Sequence, residues 1–578
     1  MPKPRKLSRR TAVKLLSAVP AALLLPRPLR AQTTPASTPA TAPTSAPANL
    51  PPKPTFAESP RILADGPFKA TWESLKQYKT PDWFRDAKFG LWAHWSAQCV
   101  PEQGDWYARN MYIQGERQNT FHTRTYGHPS QFGFMEIDNL WKAEKWDPAA
   151  LLDRYKKAGA KYFVALANHH DNFDNYDSTH HEWNSVRVGP KKDLIKGWAD
   201  ATRNAGLRFG VTNHSAHSWH WFQVAYDYDP TGDKAGQRYD AFRLTKADGK
   251  GKWWEGLDPQ ALYNGPIYVM PDGITTVAAA NQFHTRTDRN WNENPPPNNP
   301  EFVARWFARC QELLDRYEPD LLYFDNTGLP LGQAGLDIAA HFYNSNLKRK
   351  GQLEAVLNAK QLRPNQVGAL VMDIERGAAT DIRPDPWQTD TCIGDWHYNR
   401  ALYTGNRYKT PLQVVQMLID IVSKNGNLLL SIPVRGDGSI DDLEIKVLDG
   451  IAAWMQQNSE GIYATRPWKV FGEGPSTASA PAGQFGGTRD VRPYTADDIR
   501  FTAKGDTLFA FLMGWPNTGK ATLKSLAKGS GKFPREVAKV ELLGSGERPF
   551  TQDDTGLTVS LPDAKPNDFA YCLKITPK

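Results

Sequence analysis

From about Ser59 to Arg466 the sequence alternates short apolar runs with helical patterns, an order that suits βα units around a parallel sheet. The runs read as strands are Phe89 to Ala93, Tyr162 to Ala167, Arg208 to Thr212, Asp320 to Phe324, Ala369 to Met372 and Leu428 to Ile432. Helices are expected over Pro148 to Ala158, Asp193 to Ala205, Glu301 to Tyr317, Leu412 to Ser423 and Leu443 to Gln457. The fold class that follows is α/β, a (β/α)8-like barrel over 60–466 with some irregular members. After Arg466 the text changes to short alternating strands with turn signals, such as Asp498 to Ala503 and Thr507 to Leu512 around Gly505-Asp506, then Val540 to Leu543 and Leu557 to Leu561. An antiparallel β-sandwich over 467–578 fits that change.

The runs share a second property: they stop at polar residues. Pro319-Asp320-Leu321-Leu322-Tyr323-Phe324 ends in Asp325, Phe89 to Ala93 ends in His94, and Phe163 to Asn168 ends in His169-His170-Asp171. Asn213-His214 follows Phe209 to Thr212, and Glu375 follows Val371 to Ile374. In a parallel barrel these positions share the C-terminal rim, where loops build a pocket. His169 and His170 are adjacent and point to different sides of an extended chain, unlike the i, i+4 pair of a zinc hydrolase. The pattern favours imidazoles bonding hydroxyl groups; no metal and no cofactor is expected.

Twenty Trp, several beside His or acidic residues as in His94-Trp95, Asp105-Trp106 and Trp219-His220-Trp221, suit sugar rings, although large barrels also use Trp to fill their cores. A formal charge of +8 spread over 578 residues gives little support to a nucleic-acid partner. Ser8-Arg9-Arg10, an apolar run from Leu15 to Leu25 and the small-residue end near Ala31 read as a twin-arginine export signal over 1–31, which places the protein in the periplasm or outside a bacterium. That run is too short for a stable membrane anchor. Thr, Pro, Ala and Ser dominate 32–59, a tether, and the Gly, Pro, Asp and Asn-rich stretch at about 222–300 reads as an insertion over the barrel mouth. Cys99, Cys310, Cys392 and Cys572 are too scattered to assign a bridge.

Several stretches together resemble glycoside hydrolase family 29, the retaining α-L-fucosidases. They are Lys88 to Trp95, Trp106 to Tyr112, Gly159 to Asp171, Leu322 to Asp325, and Lys424 to Leu430 with Asp437-Gly438, continuing through Trp454 to Ile462-Tyr463-Ala464-Thr465-Arg466-Pro467-Trp468. The resemblance runs from about Pro81 to the end of the chain. It implies a barrel with a β-sandwich, a fucosylated oligosaccharide or polysaccharide as substrate, and Asp325 as the nucleophile of a double displacement. It also implies His94, His169 and His170 as sugar contacts with Trp106 beside them; Trp387 is a further candidate.

The second carboxyl group is expected at Glu375, whose Glu-x-Gly setting looks like one branch of the family, with Asp381 and Asp385 as alternatives. Other branches carry a Glu after the residue corresponding to Trp387, but here that position is Gln388, which cannot serve as a general acid. A structural ion pair of Glu375 with Arg376 or Arg383 is the competing reading. The chain also departs from the family at Val211 to Ser215, where Asn213 or His214 replaces a common Tyr-Tyr-Ser pattern as the hydroxyl contact. The reading is an exo-acting α-L-fucosidase. Rivals are the same scaffold acting on an L-galactoside or inside a sulfated fucan, and a silent fucose-binding protein.

Overall fold

The computed structural model describes residues 47, 49–56, 60–289, 291, 293–478, 493–533 and 535–578. The expected export signal and most of the tether lie outside the described residues.

Eight parallel strands close a barrel: β1 (Phe89–Ala93), β2 (Tyr162–Asn168), β3 (Arg208–Asn213), β4 (Leu321–Thr327), β5 (Val356–Lys360), β6 (Val371–Asp373), β7 (Trp387–Cys392) and β8 (Gly426–Ser431). Phe89 stands opposite Leu428 where β1 meets β8 and the ring closes. The apolar runs locate every strand except β5 and β7. Both of those place polar side chains at alternate positions inside the barrel: Asn358 and Lys360 on β5, Gln388 and Asp390 on β7. The Tyr162 hydroxyl crosses the interior to donate to Gln388 Oε1 at 3.0 Å, and Gln388 Nε2 donates to Asp373 Oδ2 at 2.7 Å. Tyr162 has room because its neighbour on β1 is Gly90, where a Cβ would lie 2.3 Å from the tyrosine ring.

The helix Pro300–Tyr317 shows how the outer layer positions the rim. Asn299 caps it by accepting from the Phe302 N–H at 3.1 Å, and Pro300 opens its first turn. Its apolar stripe packs on the barrel, while buried Arg309 reaches the turn after β2. There its Nε and Nη2 donate to Asp174 Oδ2 at 2.9 Å and Oδ1 at 2.7 Å, and its Nη1 donates to Asn172 Oδ1 at 2.6 Å. A two-point guanidinium–carboxylate contact of this kind fixes orientation as well as charge, and it holds the turn that carries His169 and His170.

Residues 222–300 include the short helices Asp240–Arg243, Pro259–Tyr263 and Val277–Arg286, and Trp291 from this stretch reaches the barrel mouth. A buried ion pair joins Arg109 to Asp288, and His284 Nδ1 lies 2.9 Å from Asp288 Oδ2, tying this insertion to the helix that follows Trp106.

Beyond the barrel, β9 (Arg466–Glu473), β10 (Ile499–Lys504), β11 (Thr507–Leu512), β13 (Val537–Leu542), β14 (Gly546–Glu547) and β17 (Tyr571–Pro577) build an antiparallel sheet in the order β14-β13-β17-β11-β10-β9. β12 (Lys520–Leu523), β15 (Phe550–Asp553) and β16 (Gly556–Ser560) form a second, in the order β12-β16-β15. Phe501, Leu508, Leu523, Val540 and Leu557 belong to one separate apolar core contributed by both sheets. This unit docks on the barrel through Arg500 Nε, which donates to Asp420 Oδ1 at 2.6 Å, and Trp454 Nε1, which donates to the Ala570 carbonyl at 2.8 Å. The four cysteines are buried and unbridged. Among the described residues no helix is long and apolar enough to cross a membrane.

Candidate active site

The C-terminal ends of the strands surround a cavity of about 350 Å3. Trp92 and His94 reach it from β1 and the residue after it, His169 and His170 from the end of β2, His214 from the end of β3, Asp325 from β4 and Lys360 from the end of β5. Past β6 the ladder continues: the Ile374 N–H donates to the Gln388 carbonyl at 2.9 Å and the Arg376 N–H to the Asp390 carbonyl at 2.8 Å. Glu375 is therefore held as an extension of the sheet, with its carboxyl group in the cavity. Asp390 lies below, Trp396 and His397 come from the loop after β7, and Trp106 and Trp291 stand at the rim with ring planes 3° apart and centroids 6.2 Å apart.

Asp325 has cationic or imidazole neighbours on both oxygens. His214 Nδ1 is 3.1 Å and His170 Nε2 3.3 Å from Oδ2, and the Lys360 ammonium contacts Oδ1. Burial pushes this carboxyl group up, but Lys360, His214 and His170 together hold it well below the usual carboxylate range. Lys360 also contacts Glu375 Oε2. For Glu375 the balance differs: burial pushes it up to about 7, with Asp390 and Asp325 adding to the rise against Lys360. One carboxyl group is thus ionised and the other protonated in slightly acidic solution, and environment alone separates them. Since one nitrogen touches both, their facing oxygens lie within two hydrogen-bond lengths, roughly 6 Å.

The imidazoles are prepared for hydroxyl groups. Burial lowers His94 and His169 well below an ordinary histidine and His214 to about 4, so each is neutral and offers one donor and one acceptor. Among the described residues neither ring nitrogen of buried His94 has a hydrogen-bond partner, and His397 Nδ1 also lacks one. Buried polar atoms without partners are costly unless a ligand satisfies them. The ring nitrogens of His94, His169 and His397 lie within 4.8 Å of one another, as do those of His169, His170 and His214, so either group is close enough to enclose a cation. The same nitrogens suit the hydroxyls of one sugar ring.

Comparison with known proteins assigns this geometry a family. Residues 55–460 match the sequence model of the family described as Alpha-L-fucosidase, and residues 492–576 match the Alpha-L-fucosidase C-terminal domain. The chain belongs to the α-L-fucosidase family. As a member it is a glycoside hydrolase. The tissue alpha-L-fucosidase of Rattus norvegicus is 26% identical over 528 residues, covering 89% of this chain and 94% of that one. The Homo sapiens tissue enzyme is 25% identical over 524 residues, covering 87% and 91%. The crystal structure of a Thermotoga maritima alpha-fucosidase in complex with fucose superposes with a TM-score of 0.62 at 24% identity, covering 88% of this chain and all of that one, and shares its fold.

Within the family frame the structure brings together Asp325, Glu375, His94, Trp106, His169, His170 and His214. It corrects four expectations. Trp387 is the first residue of β7, at the opposite end of the barrel, where its Nε1 donates to the Lys424 carbonyl at 2.9 Å and its ring packs beside Gly426. Asn213 turns away from the cavity, its Oδ1 accepting from the Ser215 N–H at 3.2 Å and the Ser215 hydroxyl at 3.0 Å. Asp381 and Asp385 are exposed on the segment descending to the start of β7, so neither reaches Asp325. Glu375 pairs with Lys360, not with Arg376 or Arg383.

Sequence reasoning missed Lys360, Asp390, Trp396, His397 and the insertion's Trp291 and Glu293. Trp291 stacks on His217 with centroids 3.9 Å apart, and Glu293 Oε1 accepts from the Thr327 N–H at 2.8 Å, two residues past Asp325. The signal available for Lys360 was its place at the end of a short run, Val356-Leu357-Asn358-Ala359, interrupted by one polar residue.

Proposed function

We propose that this chain is an exo-acting, retaining α-L-fucosidase that removes terminal α-L-fucosyl residues from a glycan by double displacement. The observation that carries this reading is the pair Asp325 and Glu375 in contact with one lysine nitrogen. A separation of at most roughly 6 Å is shorter than the about 6.5–9.5 Å an inverting enzyme needs to admit a water, and supports the roughly 5–5.5 Å spacing of a retaining one. Asp325, held ionised, attacks the anomeric carbon; Glu375, which keeps its proton up to about pH 7, protonates the departing oxygen and then takes a proton from water. His94, His169, His170 and His214 orient the sugar hydroxyls, and the indole faces of Trp106 and Trp291 cover its apolar edge. The insertion reaches the cavity through Trp291, which supports action on one terminal sugar. The Thermotoga maritima structure holding fucose in the same fold supports the substrate class. Export through the twin-arginine pattern at Ser8 to Lys14 is part of the same proposal and rests on the sequence alone.

The test is release of 4-nitrophenol from 4-nitrophenyl α-L-fucoside. Wild-type turnover is expected, with a loss on the order of 10^4-fold or more in Asp325→Ala and partial rescue by azide to an inverted glycosyl azide. Undiminished turnover in Asp325→Ala would remove Asp325 from its role.

A further inference from the structure

Lys360 is the last residue of β5, and its Nζ contacts an oxygen of Asp325 on one side and of Glu375 on the other. Asp390 faces the same ammonium from β7, with Asp373 of β6 hydrogen-bonded behind it. Asp325 has two further favourable neighbours, His170 and His214. Among the described residues the cation in contact with Glu375 is Lys360, while the Arg376 guanidinium points to Cys392 Sγ at 3.1 Å and toward Asp105 at 3.9 Å. The geometry points to Lys360 as the positioning residue that turns Glu375 from acid to base: its ammonium is divided between Asp325 and Glu375 in the free enzyme and is left to Glu375, with Asp390 still facing it, once Asp325 is esterified.

This inference rests on the retaining reading above. In the first step a lone pair on an Asp325 oxygen forms the bond to the anomeric carbon, the glycosidic C–O bond breaks, and the departing oxygen takes the Glu375 proton. Asp325 is now a neutral ester. The Asp325 charge, one of the two that pushed Glu375 up, is gone, and the Lys360 ammonium is no longer shared with Asp325. Both changes favour the carboxylate at Glu375. That is the form needed next: the incoming water gives Glu375 a proton as its oxygen bonds to the anomeric carbon, and the ester C–O pair returns to Asp325. Lys360 is then shared again and Glu375 retains its proton. His94, His170, His214 and His397 line the same cavity, and it is the Lys360 ammonium that contacts both carboxyl groups.

Two pH profiles test the inference: kcat/KM, which reports the free enzyme, and the rate of turnover of a fucosyl-enzyme trapped with an activated 2-deoxy-2-fluoro-fucoside. In the wild type, the acid limb of the second profile is expected about one to three pH units below the alkaline limb of the first. In Lys360→Met both limbs of kcat/KM and the acid limb of the second profile move to higher pH by a similar amount, since removing a cation raises both carboxyl groups. Lys360→Arg restores the limbs. A Lys360→Met profile lower in height with unmoved limbs would overturn the inference and leave Lys360 a packing residue. If that variant does not fold, the wild type decides: coincidence of the two limbs refutes the coupling. Peptide mapping of the trapped enzyme separates the two levels. Label on the Asp325 peptide with unmoved limbs sinks the coupling alone, whereas label elsewhere sinks the retaining assignment and the coupling with it.

Discussion

Strands β1 and β2 are buried at every position and almost wholly apolar, with their histidines placed just past their ends, whereas β5, β6 and β7 carry polar groups along their length. On the first side His94, His169 and His170 stand on an apolar floor. On the other, Asn358, Lys360, Asp373, Gln388 and Asp390 fill the barrel interior beneath Glu375. Burial and Asp390 push the Asp373 carboxyl well above the usual carboxylate range, which favours a protonated Asp373 donating to Asp390, and Asp390 Oδ2 also accepts from the Tyr323 hydroxyl at 3.2 Å. In the proposed mechanism one half of the barrel holds the sugar and the other sets the charge state of the acid.

The predictions sharpen that division. Glu375→Ala is expected to lose about 10^2- to 10^4-fold on substrates with poor leaving groups and much less on activated aryl fucosides; equal losses on both classes would make Glu375 structural. Asp390→Asn acts on the same side through charge. The Asp390 carboxylate raises Glu375, so removing it lowers Glu375, and the alkaline limb of kcat/KM should move below pH 7. A limb that stays in place or rises would show that β7 does not tune the acid. Trp291→Ala removes an indole from the rim and should raise KM by about 2- to 10-fold, from roughly 0.5–1.5 kcal/mol of lost aromatic contact, with kcat little changed. On the apolar side, Leu430→Ala in β8 should cost about 2–5 kcal/mol in denaturant unfolding and leave turnover per folded molecule unaltered. A large kcat effect there would break the comparison.

The same division explains what could be read in advance. Apolar runs located β1, β2, β3, β4, β6 and β8 within a few residues, and the groups at their ends included Asp325 and Glu375. β5 and β7 escaped because an interior lined with Asn358, Lys360, Gln388 and Asp390 interrupts the apolar pattern that marks a buried strand. Trp387 was misplaced for a related reason: without knowing that β7 begins there, a Trp at the bottom of the barrel looks the same as one at the rim. Asn213 and His214 sit side by side, and only backbone direction shows that His214 enters the cavity while Asn213 braces Ser215. Trp291 and Glu293 reach the site across a long insertion that has no periodic pattern to place them, although its place at the mouth followed from its composition.

The central claim is that Asp325 and Glu375 act as a retaining pair. Proton NMR of the first sugar released from 4-nitrophenyl α-L-fucoside, read before mutarotation, tests it most directly. The account predicts α-L-fucose first, with the β anomer growing in later; β-L-fucose as the first product would contradict it.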